Sequence, residues 1–280
     1  MKLIIHGGFF SESSQSEEIK NAKQHALEQI CRSSHDYLQS HNAEQTVVFA
    51  IQQLENDPLF NAGIGSQIQS DGKIRMSASL MNGKNKKFSG VINVQNIQNP
   101  IQLAADLMKE EDRVLGGEGA NLYAEKSEIP FYSTETAERR KDYEEKLKSS
   151  RTSTVGCVVL DKNGDLAAGT STGGKGFELP GRVSDSATVA GNYANDYCGV
   201  SCTGVGEDIV SGAVAIKIVT RVSDGMNLSD AIQKTFKELS EFDGFAGVIA
   251  LDKFGNFAVE QSHPKVVFAS FDGTNFNVFN

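Results

Sequence analysis

One threonine, Thr154, stands where the chain itself could generate a hydroxyl nucleophile. It follows a polar, highly charged segment, residues 133–153, and opens an apolar, β-branched run that extends to Asp161. A threonine hydroxyl is a weak nucleophile unless a base activates it. If the chain were cut before Thr154, the new α-amino group, with an ordinary pKa of about 7.7 to 8.0, could take the proton of the neighbouring hydroxyl. The alternative is a β-branched residue that simply begins a strand.

Histidine-activated nucleophiles find little support in the sequence. The five histidines are His6, His25, His35, His41 and His263. Three of them fall in or between the predicted surface helices, and the chain contains no Gly-x-Ser-x-Gly elbow, so a Ser-His-Asp triad is not predicted. His6 precedes two glycines. The sequence allows two interpretations of it, an active-site residue or a structural histidine.

A glycine-rich segment at residues 169–176 partly matches a phosphate-binding P-loop. The residue after Lys175 is Gly176, which has no hydroxyl for magnesium, and Pro180 follows where a helix should begin. No Gly-x-Gly-x-x-Gly opens a helix after a strand either. Nucleotide binding is therefore not predicted.

Composition excludes several other classes. A chain of 280 residues can bury a core without disulfides or a structural metal, and its net charge of −9 argues against a nucleic-acid partner. No apolar run approaches the roughly 18 residues of a membrane span, and the first residues lack a signal-peptide pattern, so neither a membrane partner nor secretion is expected. Four scattered cysteines are typical of reduced thiols in a cytoplasm, and their spacing does not match a zinc site.

The charged segment is predicted to be a solvated helix or a disordered linker. The two halves of the chain that flank it differ in their pattern of predicted helices and strands. The first half predicts a strand at the start, helices over 16–39 and 42–54, and strands over 73–81 and 88–94. The second half predicts hairpins at 154–161 with 165–172 and at 245–252 with 256–260, with helices over 208–221 and 229–242 between them. Such segregated runs favour an α+β fold of stacked sheets with helices outside.

Several ordered blocks surround Thr154. They are Thr154-Val-Gly-Cys, residues 167–174 (Ala-Ala-Gly-Thr-Ser-Thr-Gly-Gly), residues 179–185 (Leu-Pro-Gly-Arg-Val-Ser-Asp) and residues 200–204 (Val-Ser-Cys-Thr-Gly) with Gly206-Glu207. In the first half they are His6-Gly-Gly, residues 58–65 and residues 117–120. In this order they resemble the plant-type (type 2) asparaginase and isoaspartyl peptidase family of N-terminal-nucleophile hydrolases. The resemblance spans the whole chain, which makes it far more specific than any single motif.

This resemblance implies one domain over 1–280 with a four-layer αββα sandwich. It also implies a precursor that cuts its own backbone between Ser153 and Thr154, giving fragments 1–153 and 154–280. Relatives generally assemble as homodimers of such two-fragment units and need no cofactor for catalysis.

Roles for individual residues are likewise implied by the resemblance. Thr154 would be the nucleophile and, through its amine, the general base, and Thr172 would hold both groups in place. The oxyanion hole would consist of Thr203 and the Gly204 amide. The two remaining roles belong to Arg182 and Asp185, which would bind the α-carboxylate and α-amino groups of the substrate. This assignment is chemically reasonable, because a guanidinium matches a carboxylate and a carboxylate accepts from an ammonium.

In the first half, the resemblance implies that Asn61 lies close to the nucleophile. It also implies a structural sodium ion held by the loop between positions 54 and 64. The residues that would surround this ion are Leu54, Glu55, Phe60, Ala62 and Ile64.

Departures from the family pattern occur at several positions. Ser153 stands where relatives usually have glycine or aspartate, and its bulk is expected to slow the strained turn that precedes cleavage. Other departures are Phe9-Phe10, Ser77, Asn82 and Ser262-His263-Pro264. We expect these to change the shape of the pocket.

The expected activity is hydrolysis of the side-chain amide of asparagine or of β-aspartyl (isoaspartyl) dipeptides through an acyl-enzyme on Thr154. Two alternatives remain at this point. One is a glycosylasparaginase-like hydrolase, and the other is an unprocessed, inactive relative that acts as a binding protein.

Overall fold

Two β-sheets form the centre of the molecule, and the computed structural model describes residues 1–10, 16–145, 154–263 and 265–280. The strands are β1 (Lys2–Phe9), β2 (Met76–Asn82), β3 (Lys87–Val94), β4 (Val114–Gly116), β5 (Val155–Leu160), β6 (Leu166–Thr172), β7 (Asn192–Ala194), β8 (Cys198–Gly204), β9 (Ala246–Asp252), β10 (Phe257–Gln261), β11 (Val266–Phe271) and β12 (Phe276–Val278). The larger sheet has the order β12-β11-β1-β5-β6-β2-β3-β4, and the smaller sheet has the order β10-β9-β8-β7.

Helices cover the outer face of each sheet. They are α1 (Glu17–Leu38), α2 (Ala43–Glu55), α3 (Pro100–Leu107), α4 (Glu118–Lys126), α5 (Ala137–Glu144), α6 (Gly206–Gly212), α7 (Val214–Ser223) and α8 (Leu228–Ser240). The first three pack on the larger sheet, whereas α7 and α8 pack on the smaller one, and β5 and β6 meet β8 between the sheets. The α+β class and the four-layer αββα order are thus confirmed.

Three apolar clusters follow from this layering. One joins α1, α2 and α3 to the larger sheet, a second joins the smaller sheet to α6, α7 and α8, and a third lies between the two sheets. Strands β5 and β6 are buried along their whole length because they have a layer on both faces. Burial on both faces explains why their sequences are continuous apolar and small-residue runs rather than alternating ones.

The ends of the first two helices follow capping rules. Ser16 accepts a hydrogen bond from the Ile19 amide, and Asn42 forms a reciprocal capping box with Gln45. These caps place α1 and α2 within one residue of the predicted bounds at their N-terminal ends. Both predicted hairpins are also confirmed, with Asp161 Oδ1 accepting from the amides of Asn163 and Asp165 in the first turn.

One predicted helix, over residues 208–221, is wrong as a single element. Ala213 adopts a left-handed conformation with φ 48°, which separates α6 from α7. Alanine favours helix, and the local signal for this break is Gly212, a weak helix former that is the last residue of α6.

Of the two alternatives for the charged segment, the helix is present over Ala137–Glu144 as α5. This helix buries Arg139, whose Nε donates to the Gly65 carbonyl at 2.8 Å. Residues 146–153, including Ser153, lie outside the described residues. All four cysteines are buried and free, and no helix in the described ranges is long and apolar enough to cross a bilayer.

Candidate active site

Thr154 and Thr172 meet where β5 begins and β6 ends. Strands β5 and β6 pair antiparallel, with Val155 opposite Ser171, so the residues just beyond this pair are neighbours across the hairpin. The Thr154 hydroxyl donates to Thr172 Oγ1 at 3.2 Å, and both side chains are buried. The predicted pairing of the nucleophile with a second threonine is therefore present in the structure.

A small pocket opens in front of these hydroxyls. It is lined by Thr154, Thr172, Gly174, Lys175, Arg182, Ser184, Asp185, Gly204 and Gly206. Five of the predicted site residues thus share one cavity, although they come from four segments of the chain. A larger groove of about 610 Å³ contains none of them. Chemistry, rather than volume, locates the site.

Arg182 is held by Glu207, at the first turn of α6. Its Nε lies 2.7 Å from Glu207 Oε1 and its Nη2 lies 2.8 Å from Oε2. This pairing lowers the pKa of Glu207 to about 2. The edge of the guanidinium formed by Nε and Nη2 is therefore taken by Glu207, and the sequence-based expectation that Arg182 binds a carboxylate is left with the other end of the guanidinium.

Asp185 is a buried carboxyl group that faces the same pocket. Burial raises its pKa to about 7, against the opposing influence of Arg182. Asp185 Oδ2 has no hydrogen-bond partner among the described residues. A Cβ atom at Gly206 would lie 3.0 Å from Oδ1, and one at Gly191 would lie 2.4 Å from Oδ2. Glycines thus make room for this carboxyl group, which keeps one acceptor available for a cationic ligand.

Thr203 and Gly204 end strand β8 beside the pocket. The Thr203 side chain is 1% exposed, and its Oγ1 has no hydrogen-bond partner in the described part of the chain. Gly204 has φ 141°, and a Cβ atom there would come within 2.5 Å of the Phe245 carbonyl oxygen. An unpaired buried hydroxyl is costly, which is the pattern expected of a donor reserved for a bound or transient oxygen.

Comparisons with known proteins agree with this geometry. A family model described as asparaginase matches residues 1–279. The chain is 45% identical over 98% of its length to an isoaspartyl peptidase/L-asparaginase of Synechocystis, covering 88% of that protein. It is 44% identical to one of Nostoc, with 97% and 92% of the two chains covered, and 34% identical to one of Bos taurus, with 96% and 92% covered. The chain belongs to the asparaginase family.

Asn61, expected near the nucleophile of this asparaginase-family protein, supports the segment that follows Thr172. Its Nδ2 donates to the Gly174 carbonyl at 2.5 Å, and its own carbonyl accepts from the Gly173 amide at 2.9 Å. The side-chain oxygen of Asn61 accepts from the Gln67 amide. Asn61 thus fixes the backbone of Gly173 and Gly174, which directly follows Thr172.

His6 lies beneath the nucleophile in a buried polar network. Its Nε2 is 3.0 Å from Ser201 Oγ, which is 2.6 Å from Thr170 Oγ1. Burial lowers the pKa of His6 to about 3, against the opposing influence of the nearby Thr154 backbone. The imidazole is therefore neutral and a very weak base at neutral pH. The structural interpretation of His6 fits better than general-base catalysis.

The loop expected to hold sodium brings backbone carbonyl groups together. Ile64 N donates to the Glu55 carbonyl at 2.7 Å, which closes the loop. Gly65, with φ 93°, lies against two carbonyl groups, because a Cβ atom there would lie 2.8 Å from Pro58 O and 3.0 Å from Phe60 O. Carbonyl oxygens are ligands that hard cations prefer, and of the five residues named from the sequence Phe60 is the one whose carbonyl lies here. No cluster of acidic, cysteine or histidine side chains that could hold a metal occurs within the described ranges.

Two departures from the family pattern come together in space. Phe9 packs against Phe245 with ring centroids 4.7 Å apart, and Phe245 stacks on His263 at 4.5 Å. The Phe245 carbonyl contacts the turn after Gly204, because it accepts from the Val205 amide. Phe9 and His263, which are far apart in the sequence, therefore form one aromatic wall beside strand β8.

Two residues of the site, Glu207 and Lys175, had no assigned role in the sequence analysis. Glu207 was visible only as part of the block that contains Gly206. Lys175 was considered only as the lysine of a failed P-loop match. Their pairing with each other, at 3.4 Å between Lys175 Nζ and Glu207 Oε1, spans 32 residues and leaves no short-range signal.

Proposed function

We propose that this chain hydrolyses the side-chain amide of L-asparagine and of β-aspartyl dipeptides through an ester on Thr154. The observation that carries the proposal is the pocket in which the Thr154 and Thr172 hydroxyls, 3.2 Å apart, face Arg182 and Asp185. The names of the relatives support the same activity.

Maturation begins at the bond between Ser153 and Thr154. In this proposal Thr154 Oγ1 attacks the Ser153 carbonyl carbon, the bond to the Thr154 nitrogen breaks, and water hydrolyses the resulting ester. The products are fragments 1–153 and 154–280, the second with a free α-amino group. That amine supplies the base that neutral, buried His6 does not.

Substrate turnover repeats this chemistry on a bound amide. The Thr154 amine takes the hydroxyl proton as Oγ1 attacks the amide carbon, and the oxyanion accepts hydrogen bonds from Thr203 Oγ1 and the Gly204 amide. The amine returns the proton to the leaving nitrogen, and water then releases aspartate. Thr172 holds Thr154 Oγ1 in place, accepting from its hydroxyl before the attack and able to donate to the oxygen once the proton has left.

Recognition rests on the aspartyl portion, which every substrate of this class shares. The free end of the Arg182 guanidinium would bind the α-carboxylate, and Asp185 Oδ2 would accept from the α-ammonium group. Glu207 keeps Arg182 in place. The enzyme is therefore specific for the aspartyl portion and accepts different leaving groups, from ammonia to an amino acid.

The test compares wild-type protein with Thr154→Ala on asparagine and β-aspartyl-leucine. Release of aspartate by the wild type, with none by the variant, is the expected result. Equal rates in the two proteins would overturn the proposed function.

We also propose that the loop over residues 54–64 holds a sodium ion, and the neighbouring carbonyl groups of Pro58 and Phe60 support this. The residues present would hold the ion through backbone oxygens, and the ion would stabilise the loop that carries Asn61. The melting temperature should be higher in sodium chloride than in choline chloride at equal ionic strength. An equal melting temperature would contradict it.

Assembly and location are proposed on narrower grounds. The family resemblance supports a homodimer of two-fragment units, which light scattering of the processed protein would test. Four buried, free cysteines support a reducing compartment such as the cytoplasm. Cell fractionation would test this location.

A further inference from the structure

Lys175 occupies a position on the pocket wall that the backbone fixes on both sides. It lies between Gly174 (φ 84°) and Gly176 (φ 80°), conformations that other residues rarely adopt. Its amide donates to Glu178 Oε1 at 3.2 Å, and Glu178 is 4% exposed. A Cβ atom at Gly174 would come within 1.9 Å of the same carboxylate oxygen. A buried carboxylate therefore anchors the turn that carries Lys175.

The charges around Lys175 leave it as the more available cation of the pocket. Glu207 gives Arg182 two short contacts, at 2.7 and 2.8 Å, whereas Lys175 Nζ lies 3.4 Å from one of its oxygens. The Lys175 side chain is 44% exposed, against 13% for Arg182. Arg182 is thus paired with Glu207 and largely buried, whereas the Lys175 ammonium group has N–H donors available at the mouth of the pocket.

Substrates of the proposed activity differ in charge beyond the scissile amide. Asparagine carries one α-carboxylate and one α-ammonium group, for which Arg182 and Asp185 account. A β-aspartyl dipeptide carries a second carboxylate, on the leaving amino acid. That amino acid is too large for the small pocket and must extend to its mouth, where Lys175 is the most exposed lining residue.

We propose that Lys175 binds the carboxylate of the leaving amino acid and so makes β-aspartyl dipeptides with a free C-terminus the preferred substrates. This inference rests on the proposed function and adds a specificity-determining residue to it. The contact is electrostatic and partly exposed, so the preference weakens as salt is added.

The test uses two substrates that differ only in this charge, β-aspartyl-leucine and β-aspartyl-leucinamide. The measured quantity is the ratio of their kcat/KM values, compared between proteins so that the intrinsic reactivity of the two amides cancels. In Lys175→Met the ratio should fall about fivefold, through KM, and Lys175→Glu should lower it further. Lys175→Arg should restore most of the wild-type ratio.

Lys84→Met is the matched control, because Lys84 is another exposed lysine in an ion pair, with Asp165 at 2.8 Å, outside the pocket. Its ratio should equal that of the wild type. A change in this ratio below about 1.5-fold in both Lys175→Met and Lys175→Glu would overturn the inference. If these proteins still hydrolysed asparagine, the proposed function would be unaffected. Absence of turnover on every substrate by the wild type would overturn the proposed function and this inference with it.

Discussion

The Thr154 hydroxyl donates to the Thr172 hydroxyl across the open end of the β5–β6 hairpin, at 3.2 Å. This contact joins the first residue of the proposed second fragment to the last residue of a buried strand. Because β6 is packed on both faces, Thr172 has little freedom. The hairpin thus holds the proposed nucleophile, Thr154, in a rigid position.

Removing the Thr172 hydroxyl should impair catalysis more than folding. Thr172→Val keeps the side-chain shape but leaves the nucleophile without its partner, so kcat should fall about 10- to 100-fold. Thr170→Val makes the same change two residues earlier and removes the hydroxyl that contacts Ser201 Oγ and the Gly191 carbonyl. It should lower the free energy of unfolding while changing kcat less than about threefold. Similar kcat losses in both variants would show that Thr172 has only a structural role.

Substitutions at the cleavage site should distinguish the effect of the Thr154 hydroxyl on maturation from the effect of the size of residue 153. Thr154→Ser keeps a hydroxyl and should retain partial maturation and turnover, whereas Thr154→Ala should stay uncut. Ser153→Gly should mature faster than wild type, because glycine removes the bulk that is expected to slow cleavage. Gel densitometry during incubation measures the half-time. An unchanged half-time in Ser153→Gly would contradict the explanation from bulk.

Loss of Arg182 should affect hydrolysis but not maturation. Arg182→Ala removes the proposed partner of the α-carboxylate, which should lower kcat/KM about 30- to 1000-fold. Self-cleavage binds no substrate, so the variant should still appear as two fragments. Arg32→Ala, which breaks an exposed arginine–glutamate pair on α1, is the control and should match wild type. A loss under about threefold in Arg182→Ala would place this residue outside the recognition machinery.

Binding of the product should depend on the ionisation of Asp185. Burial raises the pKa of this carboxyl to about 7, so it is protonated in acid and cannot pair with an ammonium group. The inhibition constant for L-aspartate should therefore rise roughly tenfold per pH unit as the pH falls below 7. A constant value between pH 8 and pH 5.5 would contradict the assignment of Asp185.

The same raised pKa has a consequence for stability. The folded state binds the Asp185 proton more tightly than the unfolded state, so the stabilisation is complete below the ordinary pKa and is lost as the pH rises through about 7. Asp185→Asn should consequently increase the melting temperature at pH 8 relative to wild type. The sign follows from removal of a buried charge.

Local signals predicted the elements that carry the nucleophile. The turn from Asp161 to Gly164 and the apolar runs around it specify the β5–β6 hairpin, and the caps at Ser16 and Asn42 specify two helices. These features depend on residues a few positions apart. Local propensity therefore decided them.

Features that depend on distant contacts could not be predicted. The left-handed Ala213 contradicts the preference of alanine and interrupts a continuous apolar helix pattern. The pairing of Arg182 with Glu207 joins a loop to a helix that begins beyond strand β8. Arg139 was expected on a solvated surface but is buried against the loop at Gly65. In each case tertiary packing overrides a sound local expectation.

Intact mass measured alongside activity tests the central claim most directly. Purified protein is incubated, and its mass spectrum, the N-terminal sequence of each fragment and the rate of aspartate release are followed together. We expect fragments 1–153 and 154–280, with Thr154 at the new N-terminus. The rate of aspartate release should be proportional to the fraction of the chain that is cut. Full activity in a preparation that contains only the uncut 280-residue chain would contradict it.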